Sequence, residues 1–294
     1  MTVKKVAITG GTHGNELTGI HLLKRWQKRG EEINFSTLDV STLLTNPKAY
    51  ENNRRYLDQD LNRRFALSEL SNPNLGNYEA TRAKVINQQL GPKEDPQTDF
   101  IIDLHTTTAN MGVTIVINSL NPLVKATAFY IKQQLPNVTL FYQEVDRMAD
   151  NFLISLGKVG GLIVEVGPIP QGLLRPDVFE QTRLATLAAL EYLDLHNQGN
   201  APALPETQPG FQFVEKVKLP EDDQGQLIGM VHPNIQDGDY QTLNIGDPFF
   251  LLETGEVIKY DGEQGLVPAF INEAAYYDQH HGLSLMRPIE ISLK

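Results

Sequence analysis

The chain has 294 residues, 40% of them hydrophobic, and a formal net charge of -11. This length suits one large domain or two moderate ones, and the negative charge disfavours nucleic acid and anionic membranes as partners. The absence of cysteine excludes disulfides, thiolate metal ligands and cysteine nucleophiles. No apolar run approaches the ~20 residues of a membrane span, and the start lacks the apolar core of a signal peptide, so we expect a cytoplasmic protein.

Strand-like and helical patterns alternate along the first two thirds of the chain. Strands are predicted over residues 3–9, 35–44, 100–104, 113–117, 138–141 and 162–166, and helices over 17–29, 78–90, 122–135 and 176–196. The polar stretch 46–76 is typical of long loops with short helices, and such segments in compact domains are usually functional. The alternation predicts an α/β layer with a largely parallel sheet, in which ligands gather at the carboxyl ends of strands.

The composition changes at residues 198–210, which are rich in glycine, proline, asparagine and alanine and are typical of a linker. Short β-type runs follow this segment, at residues 211–217, 248–252, 256–260, 266–270 and 289–293. We therefore expect two domains, one over residues 1–205 and a smaller β-rich domain over residues 206–294.

The first candidate site follows the first strand, where two glycines precede His13 and Glu16. Imidazole and carboxylate are both zinc ligands, and a first-turn helical spacing can aim them at one point. His105, at the end of another strand, is the best third ligand, and two histidines with one glutamate leave the open position of a catalytic zinc site. The alternatives are a phosphate-binding turn, which lacks its usual glycine and lysine pattern, or a core histidine beside a surface glutamate.

Two further carboxylates lie in apolar strands. Asp103 leaves its strand on the same face as His105, and we expect it to accept the second N–H of a ligand histidine, most plausibly His13. Glu165 lies within the apolar run 162–166, where burial raises the pKa of a carboxyl group and suits it to act as a general base on zinc-bound water. The alternatives are a turn-capping aspartate and a glutamate that faces solvent from an edge strand.

Four arginines lie within eleven residues of this acidic chain: Arg54, Arg55, Arg63 and Arg64. Guanidinium groups bind carboxylates by paired hydrogen bonds, and one near a metal can stabilise an oxyanion. The alternative is a salt-bridged surface helix, a role that we expect for Arg54 and Arg64. In the C-terminal part, Tyr276 is a weaker candidate for substrate binding, and the sequence alone favours its packing in an aromatic pair.

Five segments together resemble motifs of the aspartoacylase family, within the wider zinc-carboxypeptidase-like group that includes succinylglutamate desuccinylases. They are residues 10–16, 60–63, 103–105, 165–172 and 272–277. The resemblance covers nearly the whole chain. It implies an α/β fold with a mixed sheet flanked by helices, a smaller C-terminal β domain that covers the substrate channel, and a homodimer. It also implies a zinc-dependent amidohydrolase that cleaves N-acyl-L-aspartate to a carboxylate and L-aspartate, with one zinc per subunit.

The resemblance also implies a role for each matching residue. His13, Glu16 and His105 match the zinc ligands, Glu165 matches the general acid/base, Arg55 matches the arginine that polarises the scissile carbonyl, and Asn62, Arg63 and Tyr276 match substrate-binding residues. The implied reaction is attack by a zinc-bound water that is assisted by Glu165.

One departure from the family pattern concerns substrate choice. Mammalian members place a further arginine shortly before the catalytic glutamate, where it holds the side-chain carboxylate, whereas residues 151–158 contain no arginine. Arg147 and Lys158 are the candidate substitutes. Two alternatives therefore stay open: the same chemistry on a succinylated or aromatic N-acyl amino acid, or a non-catalytic metal-dependent binding protein.

Overall fold

The protein is described by a computed structural model over residues 1–293. Its strands are β1 (Lys5–Gly10), β2 (Asp39–Leu44), β3 (Phe100–Thr106), β4 (Gly112–Asn118), β5 (Thr139–Gln143), β6 (Gly161–Gly167), β7 (Thr207–Lys218), β8 (Gly229–Val231), β9 (Pro248–Leu252), β10 (Val257–Lys259), β11 (Val267–Ala269) and β12 (His281–Ser292). Its α-helices are α1 (Leu17–Lys28), α2 (Pro47–Glu51), α3 (Leu67–Leu70), α4 (Tyr78–Leu90), α5 (Pro122–Gln134) and α6 (Pro176–Asn197). Short 3-10 helices occur at Gly30–Ile33, Leu61–Arg63, Leu153–Leu156 and Ala274–Gln279.

A nine-stranded sheet in the order β11-β12-β7-β5-β4-β6-β3-β1-β2 forms the centre of the fold. β2, β1, β3 and β6 are parallel, but β4 runs antiparallel to β6. The part of the sheet from β1 to β7 is therefore largely parallel, as the alternation predicts, and the whole is the mixed sheet that the resemblance implies. β4 reverses direction because only residues 107–111 separate it from β3, which is too short for the crossover that a parallel strand requires.

The C-terminal strands divide between the central sheet and a small sheet of their own. β7 pairs with β5 through Phe211 and Phe141, and β12 and β11 continue the central sheet beyond β7. β8, β9 and β10 form a separate three-stranded sheet. The C-terminal segment thus extends the main sheet and reaches over one of its faces.

The two faces of the central sheet bury different clusters, because side chains alternate along each strand. Ile102 and Leu162 belong to the cluster that packs under α1, α5 and α6. Ile101 and Ile163 project to the opposite face, which is covered by α4, by loops and by the C-terminal strands. His105 projects to this second face, so the fold directs the candidate site away from α1, α5 and α6. None of the helices within residues 1–293 combines the length and hydropathy needed to cross a bilayer.

Candidate metal centre and substrate cavity

The three candidate metal ligands converge in the structure. His13 lies in the turn after β1, Glu16 precedes the first residue of α1, and His105 lies near the end of β3. One ligand atom from each lies within 4.8 Å of the others, and all three side chains are buried. The Nδ1 atom of His13 lies 2.6 Å from Oε1 of Glu16, and the Nδ1 atom of His105 lies 3.0 Å from Oε2.

Local backbone contacts fix this turn. A Cβ atom on Gly14 would lie 2.2 Å from the backbone of α2, so only glycine permits the turn to approach that helix. The N–H of Gly14 donates to the carbonyl of Arg55, and the N–H of Thr106 donates to Oε2 of Glu16 at 3.0 Å. Because the end of β3 hydrogen-bonds to the glutamate, Glu16 and His105 are held together.

A second layer of carboxylates orients the two histidines. The Nε2 atom of His105 lies 2.7 Å from Oδ2 of Asp103, and the Nε2 atom of His13 lies 3.0 Å from Oδ1 of Asp60. The expected pairing of Asp103 with His13 is therefore wrong. Asp103 is two residues from His105 on the same strand face, whereas His13 leaves its strand in a turn that faces Asp60.

The donor set fits a zinc ion. When each Nε2–H donates to a carboxylate, both Nδ1 atoms present lone pairs to the centre, and they lie only 3.2 Å apart. Although burial alone would raise the pKa of Glu16, the neighbouring His13 and His105 hold it well below its ordinary value. Two imidazole nitrogens and a carboxylate oxygen are ligands that zinc prefers, and a cation bound between them would stabilise their close approach.

Glu165 and Arg55 lie beside this cluster. Glu165 pairs in register with His105 on the neighbouring strand, and β6 lies inside the sheet, so the edge-strand alternative is wrong. Burial, supported by the nearby carboxylates of Glu16 and Glu273, raises the pKa of Glu165 to about 8 against the opposing charge of His105. Arg55 donates to Oε1 of Glu16 at 3.3 Å and to the Asp60 carboxylate at 3.1 Å.

The expected substrate-binding residues lie on the same cavity wall. The Asn62 side chain accepts a hydrogen bond from the N–H of Leu153 at 2.9 Å. The Arg63 guanidinium stacks on the ring of Phe152, 4.2 Å from its centroid. Tyr276 packs edge-on against Phe270, with the ring centroids 5.9 Å apart.

All eight residues expected at the site line one cavity of about 250 Å³. They are His13, Glu16, Arg55, Asn62, Arg63, His105, Glu165 and Tyr276. The cavity thus combines the three candidate metal ligands, a carboxyl group of raised pKa and several positively charged side chains.

Two functional candidates escape the sequence analysis. Lys216 of β7 lines the cavity, with its Nζ 4.8 Å from the centroid of the Tyr276 ring. Glu273 is buried and accepts hydrogen bonds from the Thr107 hydroxyl and from the Thr108 N–H, the latter at 2.7 Å. This carboxylate ties the segment of Tyr276 to the end of β3, which a sequence pattern does not reveal.

The two suggested substitutes for the missing arginine lie elsewhere. Arg147 donates to the carbonyl oxygens of Lys93 and Ser155, and Lys158 is exposed. Neither lines the cavity. Among the arginines and lysines that line the cavity within the described residues, Lys216 is the one that comes from the C-terminal part of the chain.

Two family models together match nearly the whole chain. The model of the succinylglutamate desuccinylase/aspartoacylase catalytic domain matches residues 2–193, and that of the AstE/AspA barrel-sandwich hybrid domain matches residues 206–288. The chain belongs to the succinylglutamate desuccinylase/aspartoacylase family. Membership confirms the resemblance read from the five motifs.

Individual members of the family match over nearly the whole chain. A "Probable aspartoacylase" of Nostoc sp. (strain PCC 7120 / SAG 25.82 / UTEX 2576) is 42% identical over 94% of each chain. The human N-acyl-aromatic-L-amino acid amidohydrolase (carboxylate-forming) is 40% identical over 94% of this chain and 88% of its own. The crystal structure of murine aminoacylase 3 covers 100% of this chain and 98% of its own at 36% identity, with a TM-score of 0.91. The expected fold class is confirmed.

Proposed function

We propose that the protein is a zinc-dependent amidohydrolase that cleaves N-acyl-L-aspartate to a carboxylate and L-aspartate. The observation that carries this proposal is the convergence of His13, Glu16 and His105 beside Glu165 in one cavity. We propose one zinc ion per chain, bound by the two Nδ1 atoms and the Glu16 carboxylate.

Each side chain has a separate task in this proposal. Zinc, when bound, supplies Lewis acidity that acidifies water and polarises the acyl carbonyl. Glu165 takes a proton from the attacking water and later delivers it to the departing amine. Its raised pKa suits both steps, because a carboxyl group with a pKa near neutrality exchanges protons in either direction. Arg55 uses two hydrogen bonds on Glu16 and Asp60, and its remaining N–H groups can donate to the developing oxyanion.

The substrate class is proposed from two cations that lack carboxylate partners. Neither Arg63 nor Lys216 makes an ion pair with a described carboxylate, although the chain carries 36 acidic residues. Partial burial, together with neighbouring Arg63 and Arg55, lowers the pKa of Lys216, so an incoming anion relieves an unfavourable cluster of positive charge. N-Acyl-aspartate carries two carboxylates, one for each cation, with Asn62 and Tyr276 beside them.

Two other functions are tested against this proposal. The same chemistry on an aromatic N-acyl amino acid is favoured by the name of the human relative, and the apolar part of the cavity is compatible with it. The same chemistry on a succinylated amino acid is favoured by the name of the family alone. A non-catalytic metal-dependent binding protein is disfavoured, since a binding site has no need of a half-buried carboxyl group of raised pKa beside the candidate ligands.

The C-terminal segment is proposed as the cover of the substrate channel. Lys216, Phe270 and Tyr276 all line the cavity and all come from residues beyond 205. We propose the division into residues 1–205 and 206–294 on this basis, a homodimer as the family resemblance implies, and the cytoplasmic location expected from the sequence. Light scattering on the purified chain tests the dimer.

The decisive experiment measures release of the free amine from N-acetyl-L-aspartate, N-succinyl-L-glutamate and N-acetyl-L-tyrosine. The proposal predicts turnover of the aspartate derivative, its loss on dialysis against dipicolinate, and its recovery on addition of one equivalent of zinc. Preferred turnover of either other compound would replace the substrate class but keep the reaction. Binding of all three without turnover in the zinc-loaded protein would favour the binding protein.

A further inference from the structure

The cavity extends beyond the metal centre over an apolar part of the sheet. Ile163, Val116 and Phe141 lie side by side on β6, β4 and β5, with Val116 in register with both neighbours. These three side chains are 4–8% exposed and line the cavity. Phe213 and Phe270 line it as well. We refer to Ile163, Val116 and Phe141 as the apolar floor.

A polar row follows the apolar floor. Asn118 pairs in register with Gln143, and both line the cavity. Asn118 is only 5% exposed, and its Oδ1 atom is fully enclosed without a hydrogen bond to any residue in the described range 1–293. An enclosed carboxamide without a partner is costly, so this side chain is suited to meet a polar group of a ligand.

The distance from the reacting centre to Asn118 exceeds what an acetyl group needs. Thr114 is the register partner of Glu165, and Asn118 lies four residues further along β4. At about 3.4 Å per residue, the two rows are roughly 14 Å apart along the strand. The apolar floor lies between them and offers space for a flat or branched apolar group.

The charges around the cavity decide which part of the substrate lies on the floor. If Arg63 and Lys216 hold the carboxylates of the amino acid, the acyl group is the part that remains. A negatively charged acyl end is disfavoured there, because the floor is apolar and the polar row beyond it, Asn118 and Gln143, is neutral and supplies no cation. Phenylalanine side chains favour an aromatic ring, which they contact in edge-to-face or offset arrangements.

We propose that the apolar floor and Asn118 form an acyl-group subsite that takes a neutral aromatic acyl group with a hydroxyl substituent at its far end. The ring lies over Val116 and Phe141, and the hydroxyl exchanges a hydrogen bond with the Asn118 carboxamide. This subsite rests on the proposed deacylase function and specifies its acyl donor.

The test compares three substrates that share the aspartate moiety: N-acetyl-, N-phenylacetyl- and N-(4-hydroxyphenylacetyl)-L-aspartate. We expect kcat/KM to rise in that order, with about a tenfold gain from the hydroxyl, as one hydrogen bond in an enclosed site supplies. Asn118→Leu should abolish the gain from the hydroxyl and leave N-acetyl-L-aspartate within about twofold. Ile117→Val, on the opposite face of the same strand, should preserve the full preference.

Binding to the metal-free protein supplies a readout that is independent of turnover. Calorimetry should give the same order of Kd values for the three compounds, with the hydroxyl preference lost in Asn118→Leu. Three results would overturn the subsite while the proposed function stands. They are turnover of N-acetyl-L-aspartate alone, a hydroxyl preference that survives in Asn118→Leu, and a higher kcat/KM for N-acetyl-L-tyrosine than for N-phenylacetyl-L-aspartate. Absence of amine release from every N-acyl amino acid would instead refute the proposed function, and with it this subsite.

Discussion

Replacement of Glu165 by glutamine separates catalysis from stability at one position. The substitution keeps the shape of the side chain and removes the group that accepts the proton of the attacking water. Since a positioned general base contributes typically 10²–10⁴-fold, kcat should fall by about that factor. Zinc content should stay at one per chain, because Glu165 is absent from the cluster of proposed ligand atoms.

The same change should stabilise the metal-free protein. Burial raises the pKa of Glu165 from 4.5 to about 8, so the folded state binds a proton more tightly than the unfolded state. Between these two pH values the folded state holds more protons, and the free energy of unfolding therefore decreases as the pH rises. A pKa difference of this size corresponds to a loss of roughly 5 kcal/mol in the free energy of unfolding at pH 8 and above.

Partial solvent access reduces this value, and we expect Glu165→Gln to gain about 1–3 kcal/mol at pH 8, or roughly 2–6 °C in Tm. At pH 4 the gain should disappear, because the carboxyl group is then protonated in both states. Differential scanning calorimetry of the metal-free variants at the two pH values measures the effect. Glu290→Gln, at an exposed position of β12, provides the control and should change Tm by less than 1 °C or so.

Two results would refute this reasoning about Glu165. Turnover close to that of the wild type would remove the role of Glu165 as proton carrier. An unchanged or lower Tm at pH 8 would show that the carboxyl group carries no desolvation penalty in the folded protein.

Three further changes test the neighbouring residues. His105→Ala should lose the metal and all turnover while the chain stays folded, which elemental analysis and circular dichroism would show. Asp103→Asn should weaken zinc affinity about 10–100-fold, because the carboxylate that orients His105 is lost, and competition with a chromogenic chelator measures this. Lys216→Met should raise KM for N-acetyl-L-aspartate about tenfold by removing a charged partner of the substrate carboxylate. Lys218→Met, which removes the same charge two residues further along the strand and outside the cavity lining, should leave KM within about twofold, and equal effects of the two lysine variants would contradict the proposed contact.

Secondary structure was predictable where local signals agree. The predicted helix over residues 78–90 has the observed bounds, since Asn77 accepts a hydrogen bond from the N–H of Ala80 at its start and the Gly91–Pro92 pair follows its end. The predicted strand over 248–252 also has the observed bounds. Capping and helix-breaking residues act within a few positions, so these elements depend little on the rest of the chain.

Elements that depend on distant pairing were less predictable. β12 begins at His281, whereas the sequence predicted a strand only over residues 289–293. Gly282 and Pro288 are unusual in strands. Gly282 lies at a shift of register between β12 and β7, and Pro288 lies beyond the part of β12 that pairs with β11. The sequence did not predict β8 for a similar reason. This strand has only three residues, and it is defined by their pairing with β9.

The proposed site follows the same division between local and distant signals. His13 and Glu16 could be read from their spacing, whereas the partners of the two histidines depend on how loops meet across the fold. Lys216 carries no local signal, because its position in the cavity results from the path of β7 back toward the sheet. Of the two arginines expected in surface ion pairs, Arg64 pairs with Glu69 at 3.0 Å, and Arg54 forms none within the described part of the chain.

Zinc-edge anomalous diffraction from crystals grown with one equivalent of zinc tests the central claim most directly. We predict a single strong peak within bonding distance of Nδ1 of His13, the Glu16 carboxylate and Nδ1 of His105, on the side of the cavity that faces Glu165. A peak at another group of side chains, or no peak at these three in crystals that contain stoichiometric zinc, would contradict the account.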